Sequence, residues 1–239
     1  MSPRQSATAL AIAAALVAGG CGNLPGHPGP DQEVLRPTEI LDFDWLYNRN
    51  CAGCHGADGK GGATVSLADP VYLAYAADTD IRRTIAQGVH GTPMQAFAIS
   101  GGGILTDRQV EALVTGFRQR WAKPGALGGV NPPAYQPASP GDASRGEAAY
   151  RTFCASCHGP DGSGAKAHSI VDTSYLSLVS DQGLRTTVVV GVPAIMENGK
   201  PAAPDWRDDV PGRPMTDQEV SDVVVWLATH RAAQKGESE

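Results

Sequence analysis

The sequence predicts an all-α protein built from two similar small helical domains in tandem, and three observations carry that expectation. The first is an internal repeat. Cys154 follows Cys51 by 103 positions, and the same offset relates Gly56, Asp58, Gly59 and Gly61 to Gly159, Asp161, Gly162 and Gly164. It also relates Tyr72-Leu73 to Tyr175-Leu176, Asp78 to Asp181, Thr84 to Thr187 and Gly88-Val89 to Gly191-Val192. Near the end of each copy the offset becomes 110: Thr106-Asp107 matches Thr216-Asp217, and Val110, Val114 and Phe117 match Val220, Val224 and Leu227. Seven residues are therefore added to the second copy between Val192 and Thr216. The second observation is a pair of helix starts: Thr106-Asp107-Arg108-Gln109 and Thr216-Asp217-Gln218-Glu219 both fit a capping box. The third is a divider, Lys123 to Ala143, rich in Pro and Gly, which makes a poor core and a good linker.

Taken in chain order, residues 1–21 read as an export signal. Arg4 supplies a positive start, and the apolar stretch Ala7 to Ala18 is too short to span a bilayer comfortably. It runs into Val17-Ala18-Gly19-Gly20-Cys21, which resembles a bacterial lipoprotein cleavage site, with Cys21 as the lipidated first residue. A plain secretory signal is the alternative. Residues 22–37, with Pro25, Pro28 and Pro30, form a tether; domain 1 covers 38–122, the linker 123–143 and domain 2 144–233. Short helices are expected around Phe43–Arg49 and Arg145–Phe153, each leading into a cysteine motif. The last helices carry apolar stripes at helical spacing: Val110, Leu113, Val114, Phe117 and Trp121, then Val220, Val223, Val224 and Leu227.

With 239 residues, 41% hydrophobic and 18% charged, the composition is that of a globular protein with room for two domains. A formal charge of -6 argues against nucleic acid as a partner, because phosphates demand a basic face.

Cys21 ends the signal, and the other four cysteines form Cys51-Ala52-Gly53-Cys54-His55 and Cys154-Ala155-Ser156-Cys157-His158. CxxC alone fits a disulfide or half a zinc site, but a zinc site would leave both histidines unexplained. Two cysteines three apart lie on one face of a helical turn and can form thioethers to the two vinyl groups of one haem. His55 and His158 then reach the iron as proximal ligands. Cys51, Cys54, Cys154 and Cys157 thus predict two covalently attached haem c groups.

A helix into CxxCH, a glycine-rich loop after it, a methionine loop and a terminal helix together resemble class I cytochromes c. Two such domains in tandem resemble the dihaem cytochromes c of bacterial periplasms. The resemblance implies a small helical bundle around each haem, and single-electron transfer rather than enzymatic turnover. It also implies a methionine sulfur on the distal side of each iron. Met94, in Gly91-Thr92-Pro93-Met94-Gln95-Ala96-Phe97, matches the family's methionine loop closely. In the second copy Glu197 stands 103 beyond Met94, so the expected ligand is Met196, one place off. Met215, which matches Leu105 just before the helix cap, is its rival, and an open second site is the third reading. His168 is a weaker candidate ligand; His90 lies in the first methionine loop and His230 at the last helix's end. Arg82, Arg83 and Arg185 read as a solvated helix face, with haem-propionate pairing as the alternative.

The working expectation is a carrier on the periplasmic side, held to the membrane by a lipid on Cys21. Its partners would be an oxidase, a dehydrogenase or another respiratory complex. Two haems on a flexible linker could act as a relay or separately. A dihaem peroxidase-like enzyme, with an open or labile second haem, is the alternative.

Overall fold

Asp42 opens the first helix: its side chain accepts from the Trp45 amide at 2.7 Å, satisfying one of the free N–H groups of a helix start. The computed structural model describes residues 35–62, 64–197, 200–203, 205–207 and 212–231, with the backbone alone over 193–197 and 200–203. Cys21, the signal and most of the tether lie outside the described residues. At the tether's end, Pro37–Glu39 is one 3-10 turn held by an Arg36–Glu39 ion pair of 3.1 Å.

From Ile40 onward the two copies build the same succession of helices. In the first, α1 (Phe43–Asn50) runs into α2 (Ala52–His55), followed by α3 (Pro70–Tyr75), α4 (Asp78–Gln87) and α5 (Asp107–Trp121). In the second, α6 (Ala143–Phe153) runs into α7 (Ala155–His158), then α8 (Thr173–Leu178), α9 (Asp181–Val190) and α10 (Asp217–Ala228). Asp69 and Asp172 cap α3 and α8 at equivalent positions, each accepting from two backbone amides. Both expected capping boxes form, at Thr106/Gln109 and Thr216/Glu219. Each terminal helix buries its stripe against the first helix of its own copy, α5 on α1 and α10 on α6. Val110, Leu113, Val114, Phe117, Val220, Val223, Val224 and Leu227 are all buried, whereas Trp121 is half-buried. The fold is all-α apart from one small addition. β1 (Val192–Glu197) pairs antiparallel with β2 (Lys200–Ala203), Met196 opposite Pro201 and Glu197 opposite Lys200. Trp206 then rejoins the common path: its N–H donates to Val189 O as that of Ala98 donates to Ala86 O. By this match five of the seven extra residues lie between Val192 and Trp206, where the hairpin is, and the other two between Trp206 and Met215.

The linker is fastened, not free. Arg207 Nη1 donates to Ala126 O at 3.1 Å, Asp217 accepts from the amides of Ala134 and Ala138, and Gln182 donates to Tyr135 O. No helix among the described residues is long and apolar enough to cross a membrane.

Candidate functional site: two cysteine–histidine turns and their methionine loops

Each CxxCH motif is a single helical turn, α2 or α7, joined to the preceding helix through one residue, since Cys51 and Cys154 are at once the C-caps of α1 and α6 and the N-caps of these turns. The turns end at Gly56 and Gly159, both at φ 83°. A Cβ on Gly56 would sit 2.0 Å from Lys60 O, so both the left-handed backbone and the close approach demand glycine. A tyrosine in each first helix pins the turn: Tyr47 donates to Gly56 O at 2.6 Å and Tyr150 to Gly159 O at 2.5 Å.

No two of the four motif cysteines are joined in a disulfide. Cys51 and Cys154 are half-buried while Cys54 and Cys157 are exposed. Burial, with the neighbouring Cys54, pushes the Cys51 thiol up to about 12, so it is no thiolate at neutral pH. Among the described residues no three His, Cys, Asp or Glu side chains gather as a metal site. Two cysteines and one histidine on a single turn, with no fourth ligand gathered beside them among the described residues, suit a macrocycle that brings its own four nitrogens better than zinc.

The histidines are oriented identically. His55 Nδ1 lies 2.8 Å from Val65 O, and His158 Nδ1 lies 2.8 Å from His168 O, the acceptors themselves being 103 positions apart. A carbonyl only accepts, so Nδ1 carries the hydrogen and Nε2 keeps the lone pair that an iron needs. Burial also lowers the His55 pKa, which favours the neutral ring. His168 enters the second site through its carbonyl, a role the sequence reading missed; repeating the 103 offset from Val65 would have pointed to the position, though not to the contact.

Met94 is half-buried in a tight loop. Its carbonyl accepts from the Val89 amide at 2.7 Å and its amide donates to Thr92 Oγ1 at 3.2 Å. Gly88, at φ 68°, allows this closure, because a Cβ there would meet Met94 O at 2.6 Å. Met196 lies on β1, and its side chain is outside the described part of the structure. Met215 is buried in the core, as is its counterpart Leu105, and its N–H donates to Trp206 O as that of Leu105 donates to Phe97 O. His230 packs its ring edge-on to Trp226 at 4.7 Å.

One reading is corrected here. Arg82 and Arg83 do lie on an exposed face, paired with Glu111 and Asp80. Arg185, at 2% exposure, is instead buried, its guanidinium spent on Ala134 O, Ser221 Oγ and Asp217. Linker packing over α9, which the repeat does not encode, put it there.

Duplicated thioether-ready turns with oriented histidines inside two class I helical bundles define a dihaem c-type cytochrome, with two covalently attached haem c groups. The family model for cytochrome c oxidase, cbb3-type, subunit III matches residues 41–115 and 141–227. The chain belongs to that family.

It is 34% identical over 154 residues to the cbb3-type cytochrome c oxidase subunit CcoP of Azospirillum sp. (strain B510), covering 58% of this chain and 47% of that one. It is 33% identical over 143 residues to a thiosulfate dehydrogenase of Stutzerimonas stutzeri (strain A1501), covering 56% and 46%. The subunit CcoP of Azospirillum brasilense is 30% identical over 156 residues, covering 57% and 46%. The chain thus spans about half the length of these relatives. A chain of the reducing HAO-like protein complex of Kuenenia stuttgartiensis superposes with a TM-score of 0.46 at 18% identity, covering 83% of this chain and 100% of that one.

Proposed function

We propose that this protein is a carrier, not an enzyme, passing single electrons between membrane-associated or periplasmic redox partners. Cys51 and Cys54 would hold one haem and Cys154 and Cys157 the other. His55 with Met94, and His158 with Met196, would close the two irons. The observation that carries this reading is the matched pair of Nδ1–carbonyl bonds, which aims a bare Nε2 out of each cysteine turn. Haem iron bound between these residues would supply one-electron chemistry, with the protein holding both axial ligands in place. The chain's own residues keep the site still: Tyr47 and Tyr150 lock the turns, and Gly88 closes the loop that presents Met94. The Azospirillum relatives are oxidase subunits by name, which supports a terminal oxidase among the partners. A lipid on Cys21 would confine the carrier to the periplasmic face of a membrane, shortening its search for such a partner.

A spectroscopic redox titration, with carbon monoxide added to the reduced protein, tests the reading. Two one-electron waves without carbon monoxide binding are expected. Carbon monoxide binding to half the haem would mean that Met196 does not hold its iron, and would move catalysis at the second site ahead of transport. The name of the thiosulfate dehydrogenase relative makes thiosulfate the first substrate to try. For the anchor, Cys21→Ala should move the protein from the membrane fraction to the soluble one.

A further inference from the structure

The seam between the two bundles is built around one oxygen. Ala134 O, in the linker, accepts from Arg185 Nε at 2.9 Å and Nη2 at 2.7 Å, and from the Tyr75 hydroxyl at 3.3 Å. Arg185 belongs to α9 in the second copy and Tyr75 to α3 in the first, and these helices pack on each other. The phenol also lies against the guanidinium itself. Asp217 completes the ring: it pairs with Arg185 and accepts from the amides of Ala134 at 3.0 Å and Ala138 at 3.2 Å. Tyr135, next along the linker, packs its ring 5.2 Å from that of Tyr75. A buried guanidinium is costly unless each of its donors is met, and here backbone, carboxylate and hydroxyl meet them in one geometry only.

The internal repeat shows that this arrangement is particular to the seam. Arg82 occupies the position equivalent to Arg185, yet lies on the surface paired with Glu111. Leu178 occupies that of Tyr75 and is 58% exposed. Neither is needed to fold a domain of this type.

We infer that Arg185 is a positioning residue that fixes the second haem domain against the first through the linker backbone, so that the two haems form one relay of set separation. The inference rests on the electron-carrier reading. Two carriers on a loose string would exchange electrons at a rate set by chain diffusion; a clamped pair exchanges at a rate set by one distance.

The test uses the haem-loaded full chain, spin-labelled at Gln119→Cys on α5 and Ser177→Cys on α8, together with amide hydrogen exchange. The parent should give one narrow interlabel distance and slow exchange at Ala134 and Ala138. Arg185→Gln should broaden the distance and speed exchange at those two amides at least about tenfold, the scale of a lost hydrogen bond to a charged group. Its Soret spectrum and the Met94-dependent iron band should stay unchanged. Arg82→Gln should do none of this. If Arg185→Gln fails to mature, Tyr75→Phe, which removes only the hydroxyl from the first domain, should still broaden the distance. A broad distance in the parent, or no change in a mature Arg185→Gln protein, would overturn the inference. Absence of one-electron waves in the titration above would instead sink the carrier reading and leave the distance result standing by itself.

Discussion

The two domains reach the same contacts from exchanged positions. On the last helix of the first domain stand Gly116, Arg118 and Trp121; the equivalent places in the second hold Trp226, Ala228 and Arg231. The tryptophan and the arginine have traded ends, yet their targets are unchanged. Trp121 packs on Tyr47 with ring centroids 5.2 Å apart, and Trp226 on Tyr150 at 4.2 Å. Both indoles also reach the equivalent glycine after the cysteine turn, Gly59 or Gly162. Arg118 pairs with Asp78 and donates to the carbonyls of Leu73 and Ala76. Arg231 pairs with Asp181 and donates to Leu176 and Val179, the same sites moved by 103. The helix crossing is exchanged as well. In the first domain Phe43 on α1 fills the space over Gly116 on α5; in the second Gly146 stands in place of Phe43 and Trp226 in place of Gly116. What the fold requires is one large and one small residue at the crossing, a ring on the tyrosine and a cation over the end of the short helix. Which backbone position supplies each is free.

The largest expected effect comes from breaking the crossing. A Cβ on Gly146 would lie 2.1 Å from Asp222 O, which is backbone and cannot swing away. Gly146→Phe, which imports the first domain's residue, should therefore cost about 3 kcal/mol or more and unfold the second domain first. Gly116→Trp should do similar harm to the first domain, because its Cβ would meet the Phe43 ring at 2.0 Å. Adding Phe43→Gly to it should restore more than half the loss, read as the coupling term of a double-mutant cycle in urea melts. No recovery would mean that the two crossings are not interchangeable.

Next in size are the arginines. Arg118→Gln and Arg231→Gln should each cost about 2 kcal/mol, since each removes a charged donor from two helix-end carbonyls. Each loss should be confined to its own domain and resolved by exchange of the α3 or α8 amides. Equal losses despite unequal positions would sharpen the comparison; a null at Arg231 would show that its contacts are incidental.

Smallest is a difference in acid response. Glu219 completes the second capping box, and its bond to Arg213 holds its carboxyl down at about 2, from an ordinary 4.5. A lowered folded pKa stabilises above the unfolded value, so this contribution is whole above pH 4.5 and is lost as pH falls toward 2. Gln109 fills the same place in the first domain and has no charge to titrate. Glu219→Gln should cost about 0.5 kcal/mol at pH 7 and flatten the acid limb of the second domain's stability profile between pH 4.5 and 2.

Much of this was legible in advance. Cysteine and histidine spacing fixed the chemistry of the two turns, because thioether attachment and iron ligation need those atoms on one helical turn. Capping residues fixed the helix starts, because unpaired amides must find acceptors within three residues. The repeat fixed the order of elements in the second domain once the first was read. These are local rules, and local sequence suffices for them. Tertiary structure alone decided the rest. Val65 and His168 orient the histidines through carbonyls, which every residue possesses and no sequence motif marks. The exchange of Trp and Arg between the last helix and, in the second domain, the residues just past its end is invisible to a residue-by-residue match, since space is filled by side chains of different reach. Arg185 lost its place on a solvated face because the linker backbone, seemingly free in sequence, folds back over α9 and gives a buried guanidinium the acceptors it must have.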